Sequence, residues 1–199
     1  MKRVDQLREN LDTVRAKIDA AAAKAGRSTD EITLIAVTKS FPLSDLEILY
    51  SLGVRQFGEN RDQEASSKVE QLPSDINWHF QGQIQSNKLK SIANWAGCIH
   101  SVDQIKYAQI ISEQSSGQPK PIFIQVSLDQ PPESRGGVDP AKLIELANQI
   151  TKLPGVALQG LMAVAPTDSP TESAFANLSK IHGDFLLTFS NAKSLSSGM

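Results

Sequence analysis

Residues Ile32 to Pro42, ITLIAVTKSFP, form an apolar run that ends in a single lysine, and their pattern decides the fold class. Alternation puts Thr33, Ile35, Val37 and Lys39 on one face of a strand and Leu34, Ala36 and Thr38 on the other. Both faces are mostly apolar, so the strand is expected to be buried on both sides, as in a parallel sheet covered by helices. Lys39 then lies at the strand's carboxyl end, where α/β folds place their chemistry. Two readings of it are open. Desolvated there, its amine loses affinity for its proton and can attack a carbonyl carbon. Alternatively it marks the strand's exit into solvent, which is the more economical reading of this residue alone.

Outward from this run, strands and helices alternate. Leu46, Leu49 and Leu52 predict a short helix over Pro42 to Leu52, closed by Gly53. Strands are expected at Val54 to Phe57, Asn77 to Gly82, Ile99 to Val102, Pro121 to Leu128 and Val156 to Val164, with a seventh beginning at Ser194. Helices fall between them: Arg61 to Gln71, a segment through Lys88 to Trp95, and one carrying Ile105, Ala108 and Ile111 that Asp103 is positioned to cap. Asp139 and Pro140 open the helix that buries Leu143, Leu146 and Ile150, and Ser169 and Glu172 form a capping box for one through Phe185. Before all of these, Val4, Leu7, Leu11, Val14, Ile18, Ala21 and Ala25 draw one apolar stripe on a helix over about residues 4–25, expected to pack on its own domain rather than on a second copy.

This alternation predicts an α/β protein with a parallel sheet. No GxGxxG turn follows Lys39, and the number of β/α steps fits a (β/α)8 TIM-barrel-like single domain over residues 1–199 better than a doubly wound sheet. Closure needs eight strands, and the eighth is missing from this sequence, so the C-terminus is expected to be truncated.

Composition narrows the function classes. A net charge of -2 gives no basic excess for nucleic acid, and no apolar run reaches the roughly 18 residues of a spanning helix. A cytoplasmic monomer is expected. Cys98 is the single cysteine, and His79, His100 and His182 lack the i, i+4 spacing of a helical metal site, so no metal centre is expected.

Six segments recur in a recognisable order: IAVTK ending at Lys39, RQFGENRDQE from Arg55 to Glu64, WHFQGQIQSNK from Trp78 to Lys88, HSVD from His100 to Asp103, GLMAV from Gly160 to Val164, and LSSGM from Leu195 to Met199. Over nearly the whole chain the sequence resembles the pyridoxal phosphate homeostasis proteins, the YggS/PROSC family of single-domain, alanine-racemase-like barrels. The resemblance implies that Lys39 holds pyridoxal 5'-phosphate as an internal aldimine, which reverses the reading of that lysine on its own. It also implies that Asn60, His79 and Met162 lie beside the cofactor and that Gly198 and Met199 line its phosphate side. The plainer alternatives stay open: Asn60 as a helix cap, His79 as a hydrogen-bonded interior histidine, Met162 as core packing. Members continue past the SGM segment with a helix and a last strand bearing a phosphate-cradling turn and an arginine.

What the resemblance implies about function is a carrier of pyridoxal phosphate that supplies PLP-dependent apo-enzymes and so influences amino-acid and keto-acid balance, without turnover of its own. The competing class is a racemase-like enzyme. Racemisation needs a base on each face of the substrate carbon, and Tyr50 and Tyr107 both fall in predicted helices. The loop Pro131 to Val138, with Arg135, Gly136 and Gly137, reads equally as a mobile flap at the barrel mouth or as a glycine-permitted turn.

Overall fold

A computed structural model describes residues 2–129, 136–167 and 170–198. Its strands are β1 (Ala36–Val37), β2 (Gln56–Glu59), β3 (Asn77–Phe80), β4 (Cys98–Val102), β5 (Lys120–Gln125), β6 (Val156–Val164) and β7 (Ser194–Gly198). They form one sheet in chain order, each pairing in parallel with its neighbours in sequence. Helices α1 (Arg3–Lys24), α2 (Leu43–Ser51), α3 (Asp62–Gln71), α4 (Leu89–Trp95), α5 (Ile105–Gln114), α6 (Leu143–Ile150) and α7 (Thr171–Leu186) complete the alternation. The sheet curls into a half-barrel, the TIM-barrel-like arrangement anticipated, and no eighth strand is seen among the described residues.

Two apolar clusters cover the outer face of the sheet. Leu46, Val54, Phe57, Ile76 and Trp78 join α2 to the first three strands, with Leu11 of α1 packed into the same cluster. Phe80, Ile99, Ile122, Ile124, Ile150, Leu161 and Phe185 belong to the larger cluster that joins β3–β6 to the later helices. The N-terminal helix lies against α2, tied by Arg3 Nε to Asp45 Oδ1 at 2.9 Å. Its stripe is only partly covered: Leu11 and Ala22 are buried, whereas Val14 is 41% exposed.

Three local expectations are corrected. The Ile32 to Pro42 run pairs only at Ala36–Val37 and is not buried on both sides: Thr33, Val37 and Lys39 are exposed on one face while Thr38 is buried on the other. The reason is topological, because β1 is an edge of the sheet and its inner face has a strand on one side only. Asp103 does not cap α5. Gln104 takes that position, and Asp103 Oδ2 instead accepts the Gly137 amide at 3.1 Å. Asp139 does cap, accepting the Ala141 amide at 2.9 Å, but the turn it opens is a 3-10 turn over Pro140–Lys142 that precedes α6. The expected capping residue Ser169 lies outside the described residues, as do Pro131 to Arg135 of the expected flap.

One glycine is required by close approach at the mouth. A Cβ on Gly82, just past β3, would stand 2.1 Å from the Asn60 carbonyl oxygen, so only a bare backbone lets the β3 exit pass the end of β2.

Candidate functional site

Parallel register sets the mouth of the half-barrel. Val37 pairs with Gly58 and Gly58 with His79. Two residues further along each strand come Lys39, Asn60 and Gln81, neighbours at the carboxyl edge of β1, β2 and β3. Lys39 is exposed. The burial anticipated for it is not found among the described residues, where β1 is an edge of the sheet.

The backbone of Lys39, by contrast, is held from behind. Thr38 faces away from the mouth, is 3% exposed, and donates from Oγ1 to Glu59 Oε1 at 2.7 Å. Lys68 of α3 sends its ammonium to the Thr38 carbonyl at 2.8 Å and to Glu59 Oε1 and Glu64 Oε1 at 2.7 Å each. On the far side of Lys39, the Ser40 amide donates to Glu64 Oε1 at 2.7 Å. Ser40 has φ 64°, a left-handed conformation that costs a non-glycine residue about 1–2 kcal/mol. Hydrogen bonding from Lys68 holds the Glu64 carboxyl below its ordinary range; burial opposes this, and the Ser40 amide adds to the lowering.

One layer below the mouth, imidazoles cross the inner face. His79 Nδ1 lies 2.8 Å from His100 Nε2, His79 Nε2 lies 2.8 Å from Gln56 Oε1, and His100 Nδ1 lies 2.9 Å from Ser196 Oγ. Gln56 Oε1 also accepts Asn77 Nδ2 at 2.9 Å, which fixes it as an acceptor. His79 then carries its proton on Nε2, His100 Nε2 donates to His79 Nδ1, and the Ser196 hydroxyl donates to His100 Nδ1. The chain thus runs in one direction from β7 to β2. His100 stacks on Phe123 with ring centroids 4.5 Å apart, and Cys98 packs with Phe123 and Met162.

Ligand-type atoms of His79, Cys98 and His100 lie within 4.8 Å of one another. The histidine nitrogens are taken by each other, by Gln56 and by Ser196, and burial pushes the Cys98 thiol up to about 12 despite nearby Lys120. As arranged, the two hydrogen-bonded imidazoles and the buried thiol form a neutral floor. Sequence spacing did not reveal it, because His79 and His100 stand on different strands; the legible signal was the Cys98-x-His100 step, which puts both side chains on one face of β4.

Both rings are held neutral. Burial pushes His79 down to about 4, and burial together with the neighbouring His79 pushes His100 to about 3. In the unfolded chain each returns to about 6.5. Below that pH the unfolded state binds more protons, so the stability tied to these rings is complete above about pH 6.5. It is lost as the pH falls toward 4 and then 3, at about 1.4 kcal/mol per pH unit for each proton. Urea unfolding at about pH 7.5 and about pH 5 measures the loss, and His100→Gln is expected to reduce it. An equal loss in that variant would refute the assignment.

The residues expected at the site gather on this one side of the sheet. Lys39 and Asn60 are neighbours at the edge, His79 and Met162 lie in the layer beneath, and Met162 pairs in register with Ser196. Gly198 closes β7 opposite Val164, on the same strand face as Ser196, while Met199 lies outside the described residues. A cavity of about 190 Å³ is lined by Gln81, Ser101, Asp103, Gln125, Ser127 and Val164 among others, and by none of the expected residues; Asn60 lines a second cavity, of about 710 Å³, with Arg61, Glu64, Phe80 and Lys88. Asn60 Oδ1 and Ser101 Oγ are buried without a hydrogen-bond partner. An exposed amine near an unsatisfied acceptor fits a small guest that carries a carbonyl carbon for the amine and a hydroxyl or N–H donor for the acceptor.

Comparison with known proteins adds an independent line. A family model described as alanine racemase, N-terminal domain, matches residues 4–185. The pyridoxal phosphate homeostasis protein of Mycobacterium tuberculosis is 36% identical over 219 residues, covering 99% of this chain and 84% of that protein. The crystal structure of an unknown protein from Bifidobacterium adolescentis superposes with a TM-score of 0.88 at 29% identity, over 99% of this chain and 87% of that one. PipY of Synechococcus elongatus, with PLP bound, gives a TM-score of 0.76 at 29% identity, over 92% of this chain and 87% of that one.

Proposed function

The chain belongs to the alanine racemase N-terminal domain family and, with a relative 36% identical over nearly all its length, to the pyridoxal phosphate homeostasis proteins; on that premise we propose that it binds pyridoxal 5'-phosphate at the mouth of the half-barrel. The observation that carries this reading is the exposed Lys39 amine beside Asn60, whose buried Oδ1 has no partner. Pyridoxal phosphate supplies an aldehyde, which condenses reversibly with a primary amine and releases water. Lys39 supplies the amine, Asn60 a polar contact at the neighbouring strand end, and His79 and Met162 the floor beneath. Gly198 borders the phosphate side, where a Cβ would meet open space.

The role we assign is storage and delivery of the cofactor to apo-enzymes by a cytoplasmic monomer, not amino-acid turnover. Support comes from the two tyrosines. Tyr50 stands on α2 with its hydroxyl donating to Asp75 at 2.8 Å; Tyr107, on α5, lines the cavity of about 190 Å³, but neither occupies a strand end beside Lys39 as the second base of a racemase would. No helix among the described residues is long and apolar enough to cross a membrane.

The test is to incubate the protein with pyridoxal phosphate, reduce with borohydride and locate the adduct by peptide mass mapping. One adduct on Lys39 is expected; adducts scattered over surface lysines would overturn the reading. Asn60→Ala should weaken cofactor affinity about tenfold while the adduct stays on Lys39. Production of D-alanine from L-alanine would replace the carrier with a racemase.

A further inference from the structure

The charged group behind β1 is poorly explained as a device for stability. Glu59 is 0% exposed and Lys68 6%, yet a buried ion pair often contributes no more than apolar residues of the same shape. Glu59 Oε2 is moreover left without a partner. What the group does have is a consistent set of targets. Lys68 bonds the Thr38 carbonyl, Glu59 bonds the Thr38 hydroxyl, and Glu64 bonds the Ser40 amide. These are the residues immediately before and after Lys39.

The same group joins two strand ends. Glu59 immediately precedes Asn60 as Thr38 precedes Lys39, and the Thr38 to Glu59 hydrogen bond links the pair sideways. Alternation then throws Lys39 and Asn60 toward the mouth while their predecessors are gripped from behind. The left-handed Ser40 completes the clamp, since its amide reaches Glu64 in the strained conformation.

Resting on the reading of Lys39 as the attachment point, we propose that Glu59, Glu64 and Lys68 are positioning residues: they fix the backbone on both sides of Lys39 and so set where its amine stands relative to Asn60. Among the described residues none of the three bonds to the Lys39 amine, and Glu64 lines the same cavity as Asn60. Their action runs through main-chain geometry, with the Lys39 side chain left free to swing from a fixed base.

Glu64→Ala is the informative variant, because the Glu64 side chain is 28% exposed and Lys68 keeps its bonds to Glu59 and Thr38. In cofactor-free protein, amide exchange at Ser40 should accelerate at least about tenfold, and pyridoxal phosphate affinity should fall about tenfold. Glu64→Gln should restore both, since one side-chain oxygen, Oε1, accepts from Ser40 and from Lys68. Unchanged Ser40 exchange in Glu64→Ala would overturn the proposal. So would an affinity loss that follows the urea midpoint across the variants without rescue by glutamine, the mark of a purely structural role. If the unaltered protein captures no cofactor on Lys39, the attachment reading fails by itself, and Ser40 exchange still decides for or against the clamp.

Discussion

Lys39→Ala is expected to eliminate the borohydride-trapped adduct with pyridoxal phosphate while leaving the urea unfolding midpoint where it was. The two halves of this expectation come from different observations. Lys39 is exposed at the edge of the sheet, so its truncation removes little packing, and surface changes of this kind usually move stability by no more than about 0.5 kcal/mol. The clamp on Thr38 and Ser40 uses side chains from β2 and α3 and survives the substitution. The chemistry does not survive, because alanine has no amine. Lys39→Arg separates charge from nucleophile: guanidinium keeps the positive charge but stays protonated, and so should form no adduct. Intact-protein mass after reduction, followed by peptide mapping, reads both variants. A single stoichiometric adduct persisting in Lys39→Ala would move the attachment to another lysine and undo the assignment.

The strand order and the barrel-like class were readable from the sequence because both follow from local pattern. Apolar runs such as Ile122 to Val126 and Val156 to Val164 alternate with helical stripes, and only a parallel, helix-covered sheet uses that pattern. Six motifs in order made the family readable too, and the match over residues 4–185 agrees. What was misread depended on non-local partners. Nothing in ITLIAVTKSFP reveals that it forms an edge of the sheet, since that depends on which strand lies at the other edge. Lys68 looks like one more solvated residue of a polar helix; its burial follows from Glu59 on β2 and Thr38 on β1 meeting it in space. Glu64 and Lys68 form an i, i+4 pair, a spacing that ordinarily lies on helix surfaces. Asp103 misled in the opposite sense, carrying a helix-cap signature while serving the Gly137 amide from a separate loop.

Lys68→Met should be the most destabilising of these single changes, at about 3–5 kcal/mol. Methionine matches the length of the lysine stem and fills the same space, so the loss is electrostatic rather than a cavity. Removing the ammonium strips Glu59 of its ion pair at a site with no access to water and leaves the Thr38 hydroxyl as the partner of Oε1, with Oε2 still bare. Glu59→Gln/Lys68→Met removes the charge as well as its partner. A neutral amide in the same place still accepts from Thr38, so the double variant should recover much of the stability lost by Lys68→Met. Urea unfolding of the two single variants and the double closes the cycle and measures the coupling between the residues. A Lys68→Met midpoint equal to that of the unaltered protein would show that Glu59 is not a buried charge dependent on Lys68. A double variant no more stable than Lys68→Met would place the loss in packing. The recovered double variant also separates stability from positioning: with its fold restored but the ammonium gone from the Thr38 carbonyl, it should still hold pyridoxal phosphate less tightly than the unaltered protein.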